Sequence, residues 1–202
     1  MPELNALALV CTLKPSPEPS SSALMASQIL ADLEAHGAHG SAVRVVDFDV
    51  RPGVEKDMGD GDEWPHIREQ ILAADILVVV SPTWMGQVTS VAQRVLERLD
   101  AELGETDAQG RPILYDKVAV VGVVGNEDGA HHITSQLMQA LNDVGFTLPA
   151  QGGTYWNGEA MHKVDYLDLP RTPDATASAT ATVAANAAHL ASALRGSGYP
   201  AS

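Results

Sequence analysis

The sequence predicts a doubly wound α/β fold, a parallel sheet of five strands with helices on both faces. Three observations predict it. Four short apolar runs, at residues 7–13, 43–48, 76–80 and 118–124, are rich in β-branched residues and mostly lack alternation with polar ones. That is the composition of strands buried on both faces. Between the runs, apolar residues recur at helical spacing. Strand-type and helix-type segments also alternate from the start of the chain, as crossover connections between parallel strands require.

In chain order, the first helix carries Met25, Ile29 and Leu33 at i, i+4 and i+8, with Gly37 as its stop. Trp64, Ile67 and Ile71 form the second stripe, and Val88, Val91, Val95 and Leu99 the third. Ile133, Leu137, Leu141 and Val144 form the fourth, and Val183, Ala187, Leu190 and Leu194 the last. The fifth strand is expected at residues 146–148, continuing near residues 153–156. Three stretches stand outside the alternation. Residues 47–63 hold seven acids against two bases with Gly53, Gly59 and Gly61, which predicts a solvated loop. Residues 104–116 make a longer connection, and residues 157–174 a loop flanked by Trp156 and Tyr166. Residues 172–193 hold ten alanines in 22 positions; the spacing of the larger apolar residues there favours an amphipathic helix closing one face of the sheet. With 202 residues, no repeat and no break in composition, the expectation is one domain over residues 1–202, carrying the 157–174 extension and the closing helix.

Composition narrows function. The formal net charge of −14 repels phosphate backbones and anionic lipid, which argues against nucleic-acid binding and membrane docking. One cysteine, Cys11, excludes an internal disulfide framework and any multi-cysteine metal site; inside an apolar run it reads as a small buried hydrophobe. No apolar stretch reaches the ~18 residues of a membrane span. The opening residues lack the basic leader and cleavage site of a signal peptide. A soluble, cytoplasmic protein is expected.

In an open parallel sheet, ligands bind outside the carboxyl ends of the strands where the strand order reverses. For the order 2-1-3-4-5 that point lies between strands one and three, so the loops after strands one, three and four matter most. The first runs Thr12-Leu13-Lys14-Pro15-Ser16-Pro17-Glu18-Pro19-Ser20-Ser21-Ser22. Its hydroxyls either cap the helix that follows or join Lys14 and the helix N–H groups in a phosphate cradle. The second, Ser81-Pro82-Thr83-Trp84-Met85-Gly86-Gln87, either covers a planar heterocycle or uses Trp84 as a core lid. The third, Gly125-Asn126-Glu127-Asp128-Gly129-Ala130-His131-His132, allows close backbone approach at its glycines. Alternatively, Asn126 to Asp128 simply cap the next helix. His131 and His132 are adjacent and would point about 100° apart on a helix, so no metal site is expected. GxxxxGK[ST], GxGxxG and GxSxG motifs are absent from these loops, which argues against a Walker loop, a dinucleotide fingerprint and a serine-triad elbow.

These loops make the chain resemble the flavodoxin-like NADPH-dependent FMN reductase family, close to the multimeric flavodoxins and quinone reductases of the tryptophan-repressor-binding-protein type. The stretches 140–146 and 152–158 share the resemblance, which covers nearly the whole chain. The first loop departs from the commoner G-S-x-R-x-x-S form: Thr12 stands in the serine position, Lys14 in the arginine position, and three prolines stiffen it. The resemblance implies a flavodoxin-like sheet of order 2-1-3-4-5 and non-covalently bound FMN. The FMN phosphate would lie on Thr12, Lys14, Ser20, Ser21 and Ser22, with the contacting serine left open. The isoalloxazine ring would lie against Pro82, Thr83, Trp84, Met85 and Gly86 and against Gly125, Asn126, Glu127, Asp128 and Gly129. The flavin would take electrons from NAD(P)H and give them to a quinone or another small acceptor. The protein would contribute positioning and main-chain N–H groups, with no catalytic side chain. Relatives of this kind imply a homodimer or homotetramer, with residues 157–174 as the candidate contact. Two other functions suit the same fold: a flavodoxin-type electron carrier docking basic partners through its acidic surface, and a flavin-free binding or regulatory module.

Overall fold

The apolar runs form strands because helices cover both of their faces. In the computed structural model, which describes residues 3–159 and 161–200, strands β1 (Leu4–Val10), β2 (Ala38–Arg44), β3 (Ile76–Pro82), β4 (Val118–Gly125) and β5 (Gly153–Asn157) form one sheet. Their order is β2-β1-β3-β4-β5, and every pairing is parallel. This is the expected flavodoxin-like arrangement. Helices α1 (Ser21–Glu34), α2 (Trp64–Ala73), α3 (Ser90–Leu99), α4 (Ala130–Asp143) and α5 (Asp174–Gly196) make the crossovers and the closing layer.

Side chains alternate between the two faces of each strand. Leu7, Leu9, Leu77, Val79, Val121 and Val123 join α2, α3 and α4 in one core. Ala6, Ala8, Val10, Val78, Val80 and Val120 join α1 and α5 in the other. Burying each Val or Leu contributes about 1.5–3 kcal/mol, and truncating one such as Leu9 to alanine would cost about 2–5 kcal/mol. On the α1 side, a side chain at Gly122 would meet Met25 Sδ at 3.1 Å and Ile29 Cδ1 at 3.2 Å, so α1 lies close on β4. Helix α5 presents Ala184, Ala187, Ala188 and Ala191 inward, which explains its alanine content; Leu190 and Leu194 are only partly buried.

Two expectations need correction and a third is extended. The second strand is residues 38–44 rather than 43–48; Val45–Asp47 is a 3-10 turn. Strand β2 is an edge strand whose His39, Gly40, Ser41 and Ala42 are exposed, so its centre carries no apolar signal. The fifth strand is Gly153–Asn157, whereas residues 146–148 contribute a single bridge from Thr147 to Val118 before Pro149, which has no N–H for a ladder. The acidic segment at 47–63 is mostly an exposed loop, as expected, but it is anchored from within. Arg98 of α3 is fully buried and donates to the carbonyl oxygens of Arg51 and Glu55 and to Asp62, with which it pairs at 2.7 Å. Its guanidinium also lies 5.5 Å from the centre of the Trp64 ring. Desolvation opposes ionisation of Asp62, but Arg98 and the N–H groups of Met58, Arg51 and Trp64 outweigh it and hold the carboxyl well below its usual range.

Candidate functional site

Strands β1, β3 and β4 end side by side at the point where strand order reverses, and the loops beyond them enclose a cavity of about 210 Å³. Its walls include Thr12, Lys14, Ser20, Ser21, Ser22, Pro82, Thr83, Trp84, Gly125 and Asn126, ten residues singled out in the sequence. Loops from three distant parts of the chain therefore converge on one volume, as the switch-point rule expects.

The first wall is the entry to α1. Ser20 has extended backbone angles and caps the helix, its hydroxyl accepting from the Ala23 N–H at a long 3.4 Å. The first turn of α1 contains no acidic residue, although the chain carries 26 of them. The positive end of the helix dipole thus faces no neutralising carboxylate from its own first turn. Among the described residues, Lys14 is the only base lining the cavity, and Asp165 the only acid.

The second wall is the loop after β3. Thr83 donates its N–H to the Val124 carbonyl at 2.8 Å, yet its buried Oγ1 has no partner. An unpaired buried hydroxyl costs about 1–3 kcal/mol, which a bound acceptor or donor would recover. A side chain at Gly125 would come within 2.7 Å of Thr83 Cβ and Oγ1, so glycine is needed where β4 meets this loop. Trp84 is 53% exposed, which removes the core-lid reading.

Met85, Gly86, Glu127, Asp128 and Gly129 do not line the cavity; four of these five join the two loops beside it. Trp84 and Gln87 exchange N–H···O bonds of 3.0 and 2.9 Å around Met85 (φ 52°) and Gly86 (φ 73°), a tight reversal with both central residues left-handed. The Met85 N–H donates to Glu127 Oε1 at 2.8 Å. A side chain at Gly129 would come within 2.7 Å of Gly86 Cα. The expected capping of α4 by residues 126–128 is absent: Gly129 is its N-cap residue, without a side-chain bond. Asn126 instead donates to Asp165 Oδ1 at 2.8 Å.

Sequence reasoning missed Leu13, Val124, Trp156, Asp165 and Tyr166 as lining residues. Correct placement of β5 would have found Trp156, which sits near that strand's carboxyl end. Tyr166 is buried, donates its hydroxyl to Gln28 Oε1 at 2.7 Å and lies 5.5 Å from the Trp156 ring; its aromatic character in a loop was the only signal. The 157–174 segment therefore packs in part on its own α1, where Gln28 also donates to Thr172 at 2.8 Å. His131 lies edge-on to Tyr155, while His132 Nε2 is 3.1 Å from Gln87 Oε1, so the two histidines serve different neighbours. Beneath the site, burial pushes the Cys11 thiol up to about 12, which leaves it an unreactive core group.

Comparison with known proteins agrees with the fold. The family described as NADPH-dependent FMN reductase matches residues 5–161. The 8-demethyl-8-aminoriboflavin-5'-phosphate synthase of Streptomyces davaonensis is 33% identical over 175 residues, covering 82% of this chain and 68% of that protein. The divalent metal cation transporter MntH of Mycobacterium bovis is 36% identical over 169 residues, covering 82% of this chain; the chain spans only 25% of that protein's length. No helix among the described residues is long and apolar enough to cross a membrane. A crystal structure of RosB with bound 8-demethyl-8-formylriboflavin-5'-phosphate superposes with a TM-score of 0.88 at 32% identity, covering 97% of this chain and 82% of that one.

Proposed function

This chain belongs to the NADPH-dependent FMN reductase family of flavin-binding oxidoreductases, and from that premise we propose that its cavity holds FMN and that it passes electrons from NAD(P)H to a quinone or another small acceptor. The observation that supports this best is the donor set of one cavity: Lys14, the serines at an α1 entry free of first-turn acid, and the unpartnered Thr83 hydroxyl. Bound there, FMN would supply the redox chemistry between NAD(P)H and the acceptor. Thr12, Lys14 and residues 20–22 would hold its phosphate by hydrogen bonds and charge. Thr83, Trp84, Gly125, Asn126 and Trp156 would hold the remainder, the indoles giving aromatic surface and Thr83 a hydrogen bond. The binding role requires no proton transfer from these side chains, so none is assigned a catalytic part. A cytoplasmic homodimer or homotetramer completes the proposal. Exposed Met85 beside the cavity, and exposed Met161 and Val164 on the segment leading to Asp165, would form part of the contact.

A second reading has its own support. The likeness to a flavin-phosphate synthase and to RosB with a flavin-phosphate intermediate favours a flavin phosphate as substrate rather than cofactor. One experiment separates the readings. The protein is loaded with FMN, desalted and divided: one part is mixed anaerobically with NADPH or NADH, the other is incubated in air with an amino acid as amine donor, and the flavin is then released from each and weighed by mass spectrometry. Bleaching with an unchanged flavin mass supports the reductase, and an altered mass supports flavin modification. Retained flavin without bleaching points to the electron carrier. A colourless protein overturns both flavin readings and leaves the flavin-free module.

A further inference from the structure

The loop between Thr12 and Ser20 has little means of holding its own shape. Pro15, Pro17 and Pro19 lack N–H groups, and its internal bonds include Glu18 N–H to the Pro15 carbonyl at 2.9 Å and Lys14 N–H to Thr12 Oγ1 at 3.2 Å. Its shape is imposed from the end of β2. Arg44 Nη1 donates to the carbonyl oxygens of Lys14 (3.2 Å), Pro15 (2.9 Å) and Glu18 (2.8 Å). Asp47, in the 3-10 turn that follows, accepts from the Ser16 N–H at 2.8 Å and the Ser16 hydroxyl at 2.6 Å. Neither Arg44 nor Asp47 lines the cavity. Three carbonyl dipoles that would repel an anion are thus tied to a cation outside the cavity, and the cavity wall keeps Lys14 and the α1 entry.

We propose that Arg44 and Asp47 are positioning residues that fix this loop in its anion-receiving form and so set the site's preference for a phosphorylated flavin over an unphosphorylated one. The inference rests on the FMN reading above. It differs from a purely structural brace in what it predicts, because loosening the loop should affect the phosphate end alone. The Ser16 hydroxyl and N–H hold the Asp47 carboxyl below its usual range, so the brace remains charged at neutral pH.

The test measures FMN and riboflavin affinities by flavin fluorescence, with melting curves, for the wild-type chain, Arg44→Met, Arg44→Lys and Asp47→Asn. The wild type should prefer FMN. Arg44→Met should weaken FMN by about tenfold and riboflavin by less than about twofold, the scale of losing charge-assisted bonds. Arg44→Lys should recover part of the preference, and the near-isosteric Asp47→Asn should show a smaller loss of the same selective kind. If Arg44→Met and Asp47→Asn keep the wild-type ratio of FMN to riboflavin affinity, the positioning role is overturned while the FMN reading stands. A wild-type chain that binds neither flavin overturns both.

Discussion

The loop at residues 12–20 and the loop at residues 49–63 flank the carboxyl end of β2, and both are held by arginine, but from opposite sides: Arg44 for the first, and Arg98 with Arg94, which donates to the Val50 carbonyl at 2.9 Å, for the second. Arg98 is buried inside the acidic loop and draws two carbonyls and a carboxylate around itself. Asp62 in turn accepts from the Met58, Arg51 and Trp64 N–H groups, so the polar groups of that loop are largely engaged with one another. Arg44 stands outside the other loop and binds only its carbonyl oxygens. The donors of that loop's far end remain facing a cavity. Polarity alone therefore does not mark a binding site; a site is the place where rigid backbone leaves donors without internal partners.

Breaking the first loop should give the largest effect. Arg98→Met would leave the Asp62 carboxylate buried without its partner, costing about 3–5 kcal/mol in urea denaturation. Removing both charges in Arg98→Met with Asp62→Leu should restore a large part of that loss. Breaking the second loop should move binding and spare stability. Lys14→Glu should weaken FMN by about tenfold or more in a fluorescence titration, with an unfolding midpoint close to wild type; unchanged affinity would remove Lys14 from the phosphate end. Acid titration sharpens the contrast further. The folded-state pKa of Asp62 is depressed, so the stability from its pair is full above about pH 4 and is lost as pH falls through the folded value. Within that window the wild type should gain up to about 1.4 kcal/mol of stability per pH unit from this group, and Asp62→Asn should lack that increment in denaturation curves between pH 5 and 3. The smallest effect belongs to the loop contact beside the cavity. Glu127→Ala removes the acceptor of the Met85 N–H and should lower FMN affinity only about two- to threefold, a fraction of one exposed hydrogen bond.

Much of this was legible in the chain. Strands β1, β3 and β4 are covered on both faces, so their apolar runs mark them, although β1 is Leu4–Val10, three residues earlier than the run at 7–13 suggested. Strand β2 is an edge with four exposed residues, and its apolar signal belongs to the turn that follows. The three loops of the site were located by topology, and eleven of their residues line the cavity. The others do not line it: Met85, Glu127 and Gly129 hold one loop against another, and a residue that shapes a wall has the same sequence character as one that forms it. Asp165 and Tyr166 arrive through a long connection whose path no local pattern encodes. Arg98 was invisible as a buried ion-pair partner, because an arginine on an otherwise amphipathic helix reads as solvent-facing.

Gly122 lies two residues short of Val124 in the sheet, and α1 rests almost directly on it. That helix is also the wall bearing Ser20, Ser21 and Ser22. Helix and strand are stiff bodies, so the space left by one absent methyl group sets how low the wall stands relative to the strand ends. An alanine there would act as a shim: it would lift the helix against Met25 and Ile29, and the displacement would reach the rim of the cavity without any rim residue having changed.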